Sequence, residues 1–119
     1  MEYEFRQDLY DQPEAIVEFE QALFGRWLGE ELGADRVRAS QLLQEAERLA
    51  AQKRGQYEWH GRELSLRLDS ESARVWVQAE GEEDELEDGF GWSDAVAEAG
   101  LEDFIALLSG WIGYIEGVR

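Results

Sequence analysis

The first twenty residues alternate between apolar and polar positions, which is the pattern of a half-buried β-strand. A first strand is marked by its apolar residues Tyr3, Phe5 and Leu9. A turn at 11–13 follows, and the β-branched centre of 14–20 favours a second strand over the start of a helix. We therefore expect the chain to open with a β-hairpin. The inward face of its second strand is formed by Ala15, Val17 and Phe19.

Apolar residues recur at intervals of three and four after Gln21, which predicts two amphipathic helices. The first helix ends at Gly33. Its apolar positions are Leu23, Phe24, Trp27, Leu28 and Leu32. Asp35 can cap the second helix, which is expected to end at Gly55 after Lys53 and Arg54 in its last turn.

An antiparallel meander is predicted next, because apolar and polar residues again alternate with a period of two. Its first two strands are joined by the two-residue link His60-Gly61, and 69–72 forms the next turn. The inward residues of the meander are Leu64, Leu66, Leu68, Val75, Val77 and Ala79. Trp76 falls on the opposite, wetter face, and 92–98 is expected to form one helical turn.

The final helix has a strong apolar face and ends near Gly117. That face is formed by Leu101, Phe104, Ile105, Leu108, Trp111, Ile112 and Ile115. Gly110, Gly113 and Gly117 each lower helix stability by about 1 kcal/mol relative to alanine. We expect close packing to explain these glycines, against the protein's own core in preference to a second chain.

Together these elements predict a single α+β domain over residues 1–119. An antiparallel sheet of about four to five strands, from the N-terminal hairpin and the central meander, would pack on about three helices. The chain has no cysteine, no run of eighteen apolar residues and no secretory signal at its start, so we expect a cytoplasmic protein without a membrane span.

The formal net charge of −17 arises from 28 acidic and 11 basic residues. This field repels phosphates and anionic lipids, so direct nucleic-acid and membrane binding are disfavoured. It attracts basic protein surfaces or cations, and solubility alone is the alternative explanation.

A charge-dense stretch over about 80–91 is bracketed by glycines and is expected to be a mobile loop. Its spacing does not fit an EF-hand, because Leu86 and Ala95 occupy positions that need oxygen ligands. Aromatic residues beside carboxylates are typical of interfaces with basic partners. The candidate contact residues are Glu82, Glu83, Asp84, Glu85, Glu87, Asp88, Phe90, Trp92 and Trp76.

No catalytic constellation is visible in the sequence, so we expect neither an enzyme nor a bound cofactor or metal. His60 is the only histidine, so sites that need two imidazoles are excluded. Its position beside Gly61 predicts a turn residue. Phosphate-binding glycine loops and nucleophile elbows are also lacking.

Several local stretches resemble the YacL-like family of small acidic bacterial proteins, uncharacterised protein family 0231. They are 1–5 with Asp8, Trp27 with Glu30-Glu31, Gly61-x-Glu63 leading to Asp69, Val75-x-Val77, 84–85, 87–89 and 100–104. The resemblance implies a cytosolic protein of gammaproteobacterial type, and it carries no established activity or cofactor.

The leading hypothesis is an acidic interaction module that docks on a basic surface of a nucleic-acid-processing assembly. RNA polymerase and the ribosome are natural candidates, and partial mimicry of a nucleic acid is one version of the hypothesis. The alternative is a small-molecule or divalent-cation binding domain with unidentified carboxylate ligands. Both hypotheses are compatible with a monomer and with a homodimer joined through the final helix.

Overall fold

The computed structural model describes residues 2–78 and 96–117, which form six strands and three main helices. The strands are β1 (Tyr3–Gln7), β2 (Pro13–Val17), β3 (Gln56–His60), β4 (Leu64–Asp69), β5 (Ser72–Val77) and β6 (Val96–Gly100). The helices are α1 (Ala22–Trp27), α2 (Arg36–Gln52) and α3 (Leu101–Gly117). A 3₁₀ turn over Phe19–Gln21 leads into α1, and a π-helical turn over Leu28–Leu32 extends it.

The predicted α+β class is confirmed, but the hairpin and the meander form two separate antiparallel sheets where the sequence predicts one. β1 and β2 make a two-stranded hairpin, with Tyr3 opposite Val17 and Phe5 opposite Ala15. The second sheet has the order β3-β4-β5-β6, so each strand pairs with its neighbour in sequence. Such sequential antiparallel pairing is the predicted meander, with β6 added at its edge.

Alternate residues of the four-stranded sheet face the helices and build one hydrophobic core. Leu64, Leu66 and Leu68 of β4 are completely buried there. The largest buried side chains from the helices are Phe24, Trp27, Leu28, Leu49, Phe104 and Trp111. Because the inward positions of β4 are all leucine, the period-two pattern alone predicts this face correctly.

The N-terminal hairpin packs against α1 and α3 through two glycines. A Cβ atom on Gly25 would lie 2.5 Å from the Ala15 carbonyl oxygen, so only glycine allows α1 to approach β2 this closely. A Cβ on Gly110 would lie 3.1 Å from the Phe5 ring. Within the described part of the chain, Gly113 and Gly117 have no such neighbour. The core-packing explanation therefore holds for Gly110, and no contact of the described residues supports it for the other two.

Helix α2 begins as predicted and ends two residues earlier than predicted. The Asp35 side chain accepts a hydrogen bond from the Arg38 N–H at 3.0 Å, which caps the helix. Lys53 takes the left-handed conformation, with φ of 59°, and its N–H donates to the Leu49 carbonyl oxygen. The sequence pattern predicts Lys53 inside the last turn before Gly55, but Lys53 is the residue that terminates the helix.

The predicted helical turn over 92–98 is wrong for its described part, because β6 begins at Val96. Val96 pairs with Trp76, Ala97 with Val75 and Ala99 with Ala73. Alanine favours helices, but here the hydrogen bonds to β5 and the burial of Ala97 and Ala99 outweigh this preference. The remainder of the predicted turn lies outside the described residues.

The predicted His60-Gly61 link between β3 and β4 is also wrong. His60 is the last residue of β3 and pairs with Ser65, while the Gly61 N–H donates to the Leu64 carbonyl oxygen. Arg62 and Glu63 are therefore the central residues of the turn. The turn is supported from outside by the Glu31 carboxylate, a contact that no local pattern in the turn reveals.

The next turn, over 69–72, is confirmed. Oδ1 of Asp69 accepts hydrogen bonds from the N–H groups of Glu71 at 2.8 Å and Ser72 at 2.7 Å. These donors, led by Glu71, lower the pKa of Asp69 despite its partial burial. The turn chemistry of aspartate thus determines where β4 ends and β5 begins.

Candidate interaction surface

The N-terminal hairpin displays most of the large apolar side chains that the described chain exposes to solvent. Five of the six such residues lie between positions 3 and 19. They are Tyr3, Leu9, Tyr10, Ile16 and Phe19, and the sixth is Val37 on α2. Single exposed apolar residues are ordinary, whereas a concentration of them on one element marks an interaction surface.

The turn of the hairpin holds Leu9 and Tyr10 almost completely in solvent, at 95% and 81% exposure. Oδ1 of Asp8 accepts hydrogen bonds from the N–H groups of Tyr10 at 2.8 Å and Gln12 at 3.0 Å. The Asp8 N–H donates in turn to the Gln12 carbonyl oxygen. These bonds order the turn, so both apolar side chains are presented by a preorganised backbone.

Phe19 is exposed at the other end of β2, and its backbone is in an unfavourable conformation. Its φ is 60°, in the left-handed region, and its side chain is 83% exposed. A bulky residue there costs about 1–2 kcal/mol relative to right-handed backbone. The expectation that Leu9 and Phe19 lie on inward strand faces is wrong, because β1 ends at Gln7 and β2 ends at Val17.

Acidic residues alternate with these apolar residues along the chain. Residues 2–20 contain seven acidic residues and one basic residue, Arg6. The Arg6 Nε atom lies 2.7 Å from Glu14, so the one positive charge is already paired. The acidic residues are Glu2, Glu4, Asp8, Asp11, Glu14, Glu18 and Glu20. We call these seven, with the exposed Leu9, Tyr10, Ile16 and Phe19, the hairpin surface.

Of the contact residues predicted from sequence, only Trp76 lies in the described part of the chain. Trp76 is half-buried on the outer face of β5, as predicted, with its ring centroid 6.5 Å from that of His60. Outside the described residues lie Glu82, Glu83, Asp84, Glu85, Glu87, Asp88, Phe90 and Trp92.

A serine, a histidine and a glutamate meet on the outer face of the four-stranded sheet. The His60 Nδ1 atom lies 2.9 Å from the Ser65 Oγ atom, and its Nε2 atom lies 3.4 Å from a Glu58 oxygen. Ser65 is completely buried under its neighbours. A nucleophile must reach its substrate, so this trio does not form an acyl-transfer site as it stands.

The Glu31 carboxylate, in the π-helical turn after α1, is hydrogen-bonded to the backbone of the turn between β3 and β4. It accepts hydrogen bonds from the N–H groups of Arg62, Glu63 and Leu64 at 2.8–2.9 Å. Partial burial alone would raise its pKa, but these three donors outweigh that effect and lower the pKa. Glu31 therefore remains ionised and acts as a structural acceptor, which is not the behaviour of a general acid.

Residues 2–78 and 96–117 contain no group of three or more His, Asp or Glu side chains arranged to hold a metal ion. The alternative of a small-molecule or divalent-cation site stays a prediction. Within the same residues, no helix has the length and apolar character to cross a bilayer.

Sequence reasoning missed Leu9, Tyr10 and Phe19 as surface residues. Two features of the sequence indicate that these three residues are exposed. Asp8 and Asp11 flank Leu9-Tyr10 with residues that favour turns, and Glu18 and Glu20 flank Phe19 with charges. The alternation of apolar and polar residues continues through both places, but turn chemistry ends the strands there.

Comparison with known proteins places the chain in one bacterial family. The model of the family described as "Uncharacterised protein family (UPF0231)" matches residues 1–115. A UPF0231 protein of Shewanella amazonensis is 39% identical over 124 residues, and the match covers both chains completely. UPF0231 proteins of Shewanella putrefaciens and Edwardsiella ictaluri are each 37% identical, and the matches cover 98% of each chain.

No solved structure matches the chain. The family assignment rests on sequence similarity that extends from one end of the chain to the other, through the hairpin, the meander and the final helix. The chain belongs to the uncharacterised protein family UPF0231.

Proposed function

We propose that the protein is an acidic docking module that binds a basic surface of a larger cytoplasmic assembly. The single observation that supports this proposal is the coincidence of exposed apolar side chains and unbalanced acidic charge on the hairpin surface. RNA polymerase and the ribosome are the candidate assemblies, because nucleic-acid machinery is rich in basic protein surfaces.

The hairpin surface combines the two contributions that a charged interface needs. Its acidic residues attract a basic partner over distances of about 10 Å and accelerate encounter. Its apolar side chains then supply desolvated contact, which determines how long the complex lasts. Tyr10 and Phe19 are aromatic, the type most enriched at energetically dominant interface positions.

The spacing of the apolar side chains favours a macromolecular partner over a small ligand. Leu9 and Tyr10 lie at one end of β2 and Phe19 at the other, so the strand length of about 17 Å separates them. A small molecule is normally bound within one concave pocket. Contacts this far apart, on an exposed hairpin, suit another protein surface.

The conformation of Phe19 provides independent support. Glycine or asparagine would occupy its left-handed backbone more favourably, yet a large apolar residue stands there with little contact to the core. Residues held in such conformations cluster at functional positions. Binding by Phe19 explains why the cost is tolerated.

The acidic residues Glu82, Glu83, Asp84, Glu85, Glu87 and Asp88 contribute to the same proposal through their charge. Residues 79–95 carry eight acidic residues and no basic one. If the protein mimics a nucleic acid, DNA or RNA will compete for the same partner surface. Both interactions will then weaken steeply with added salt.

The test measures binding of the purified protein to purified bacterial RNA polymerase and to purified ribosomes at about 50 and 300 mM salt. The hairpin variant carries Leu9→Ser, Tyr10→Ser and Phe19→Gly. A second variant replaces the six acids from Glu82 to Asp88 with their amides. Val37→Ser is the matched control, because Val37 is a large exposed apolar residue outside the hairpin surface.

We expect salt-sensitive binding to one assembly, about tenfold or more weaker for the hairpin variant and unchanged for Val37→Ser. The amide variant should bind more slowly and lose most of its salt dependence. Equal loss in the Val37 control would remove the hairpin surface from the proposal. Absence of binding to both assemblies would overturn the choice of partner.

A further inference from the structure

The four-stranded sheet has two edges, and the described residues cover one of them. At the β6 edge, the 3₁₀ turn over Phe19–Gln21 packs alongside, and the Gln21 side-chain amide donates to the Glu98 carbonyl oxygen at 3.2 Å. At the β3 edge, β4 is the only strand partner among the described residues. β3 contains neither proline nor lysine, which commonly protect an exposed edge.

The free edge of β3 presents the backbone groups of Glu58 and His60. The Gly61 N–H donates to the Leu64 carbonyl oxygen at 2.9 Å, which fixes the phase of the ladder between β3 and β4. Hydrogen-bonded and non-hydrogen-bonded pairs alternate along an antiparallel ladder. Tyr57 and Trp59 therefore bond to β4, while the backbone N–H and C=O groups of Glu58 and His60 face outward.

A groove lies directly beside this edge, between β3 and helix α2. Its volume is about 240 Å³, and it is lined by Arg38, Gln41, Leu42, Tyr57 and Trp59. The Arg38 guanidinium lies 5.4 Å from the centroid of the Trp59 ring and forms one wall. The groove is smaller than the 300–1,000 Å³ typical of small-molecule sites, so its size suits side chains of a bound peptide.

We propose that β3 is a site of β-strand addition, where an extended segment of a partner protein pairs with the free edge. A strand added there must project alternate side chains to the two faces of the sheet. Residues beside Tyr57 and Trp59 enter the groove, and the residue between them lies beside Glu58 on the outer face. The segment therefore needs two apolar residues separated by one residue.

Charge determines which kind of segment fits. Glu58 already lies 3.9 Å from Arg67 of β4 and 3.4 Å from His60. A basic residue on its other side forms a second favourable cross-strand pair, whereas an acidic one is repelled by Glu58. A second copy of this chain is a poor occupant, because antiparallel pairing about Glu58 would set two glutamates opposite each other and join two chains of net charge −17. The occupant is thus a segment of a partner protein with the order apolar, basic, apolar. The choice of a basic central residue rests on the proposed function.

The experiment uses the full chain, isotopically labelled for amide NMR, and a synthetic seven-residue peptide. The central lysine of the peptide is flanked on each side by valine, with threonine and serine at the ends. One control peptide has glutamate in place of lysine. The other has N-methyl groups on alternate backbone nitrogens, which removes the donors that strand addition requires.

We expect the lysine peptide to shift the amide signals of residues 56–60 and to slow hydrogen exchange at Glu58 and His60. The glutamate peptide should bind up to about fivefold more weakly. Glu58→Lys should reverse this preference between the two peptides, which isolates the predicted cross-strand pair. Glu58 is exposed, but the new lysine faces Arg67 on β4, so thermal unfolding of the variant is measured alongside binding.

Equal binding of the N-methylated peptide, or signal shifts confined to other residues, would overturn strand addition at β3. Lack of peptide binding, or dimerisation through β3 in sedimentation, would also overturn it. The hairpin variant separates this inference from the proposed function, since it retains an intact β3. Assembly binding that depends on the hairpin and ignores Glu58→Lys leaves the proposed function standing and removes this inference alone.

Discussion

The Glu31 carboxylate accepts a hydrogen bond from the Arg62 N–H at 2.9 Å, across 31 positions of the chain. Glu63 and Leu64 donate to the same carboxylate, so the end of the π-helical turn after α1 holds the turn between β3 and β4. Gly61 is required beside it, because a Cβ atom there would collide with the Glu31 carboxylate. One side chain thus joins the helical layer to the sheet.

Replacing Glu31 with glutamine should lower the free energy of unfolding by about 2 kcal/mol at pH 7. The amide offers one acceptor oxygen where the carboxylate offers two, and its NH₂ group faces backbone donors. Urea unfolding checks this result. Glu30→Gln is the matched control, because Glu30 is exposed and pairs with Arg26 at the surface, where such pairs contribute about 0–1 kcal/mol. Equal losses would refute the special role of Glu31.

The stabilisation by Glu31 should disappear in acid. Its pKa is lowered in the folded protein, so the folded state binds the proton less tightly than the unfolded chain does. The contribution is complete above the unfolded value of about 4.3 and is lost as the pH falls through the lower folded pKa. The Tm difference between wild type and Glu31→Gln, measured from pH 7 to pH 2, should therefore shrink below about pH 4. A constant difference would contradict this assignment.

Phe19→Gly should raise the free energy of unfolding by about 0.5–1 kcal/mol. Glycine removes the cost of the left-handed backbone, and the lost side chain is 83% exposed. Lys53→Gly is the matched control, since Lys53 has a φ of 59° at the end of α2. Both variants should be stabilised in thermal unfolding, but only Phe19→Gly should weaken docking. A destabilised Phe19→Gly would mean that the ring supports the core.

Gly25→Ala should destabilise the protein by about 2–3 kcal/mol. The added methyl group would lie 2.5 Å from the Ala15 carbonyl oxygen, and this neighbour is backbone that cannot rotate away. Helix α1 and strand β2 must therefore separate. Thermal unfolding measures the loss, and amide NMR shifts should concentrate around Ala15. Wild-type stability would show that the hairpin tolerates displacement.

The fold could be predicted wherever strong side chains repeat with one period. Leu64, Leu66 and Leu68 alternate without interruption, and Asp35 marks the start of α2 by its capping chemistry. β6 was missed because Ala97 and Ala99 are small and favour helices in isolation. Its strand conformation depends on pairing with β5, which no local pattern contains.

The candidate site was harder to predict than the fold, for a different reason. Sequence shows that acids and aromatics are abundant, but not which of them the fold leaves in solvent. Trp27 and Trp111 are completely buried, whereas Tyr10 and Phe19 are exposed. Their exposure follows from the positions of strand ends, which depend on the hydrogen bonds of Asp8 and on the unusual φ of Phe19.

Gly113→Ala should stabilise the protein by about 1 kcal/mol, because alanine is the better helix former and Gly113 lies in the interior of α3. Within the described chain, no heavy atom beyond the adjacent residues and the nearby backbone of α3 lies within 4 Å of the added Cβ, so no steric cost opposes the gain. Thermal unfolding checks the stability, and sedimentation checks the mass. If the final helix joins two chains through its glycines, the substitution will instead lower both the stability and the mass at a given concentration. A monomer that gains stability would exclude the homodimer through Gly113.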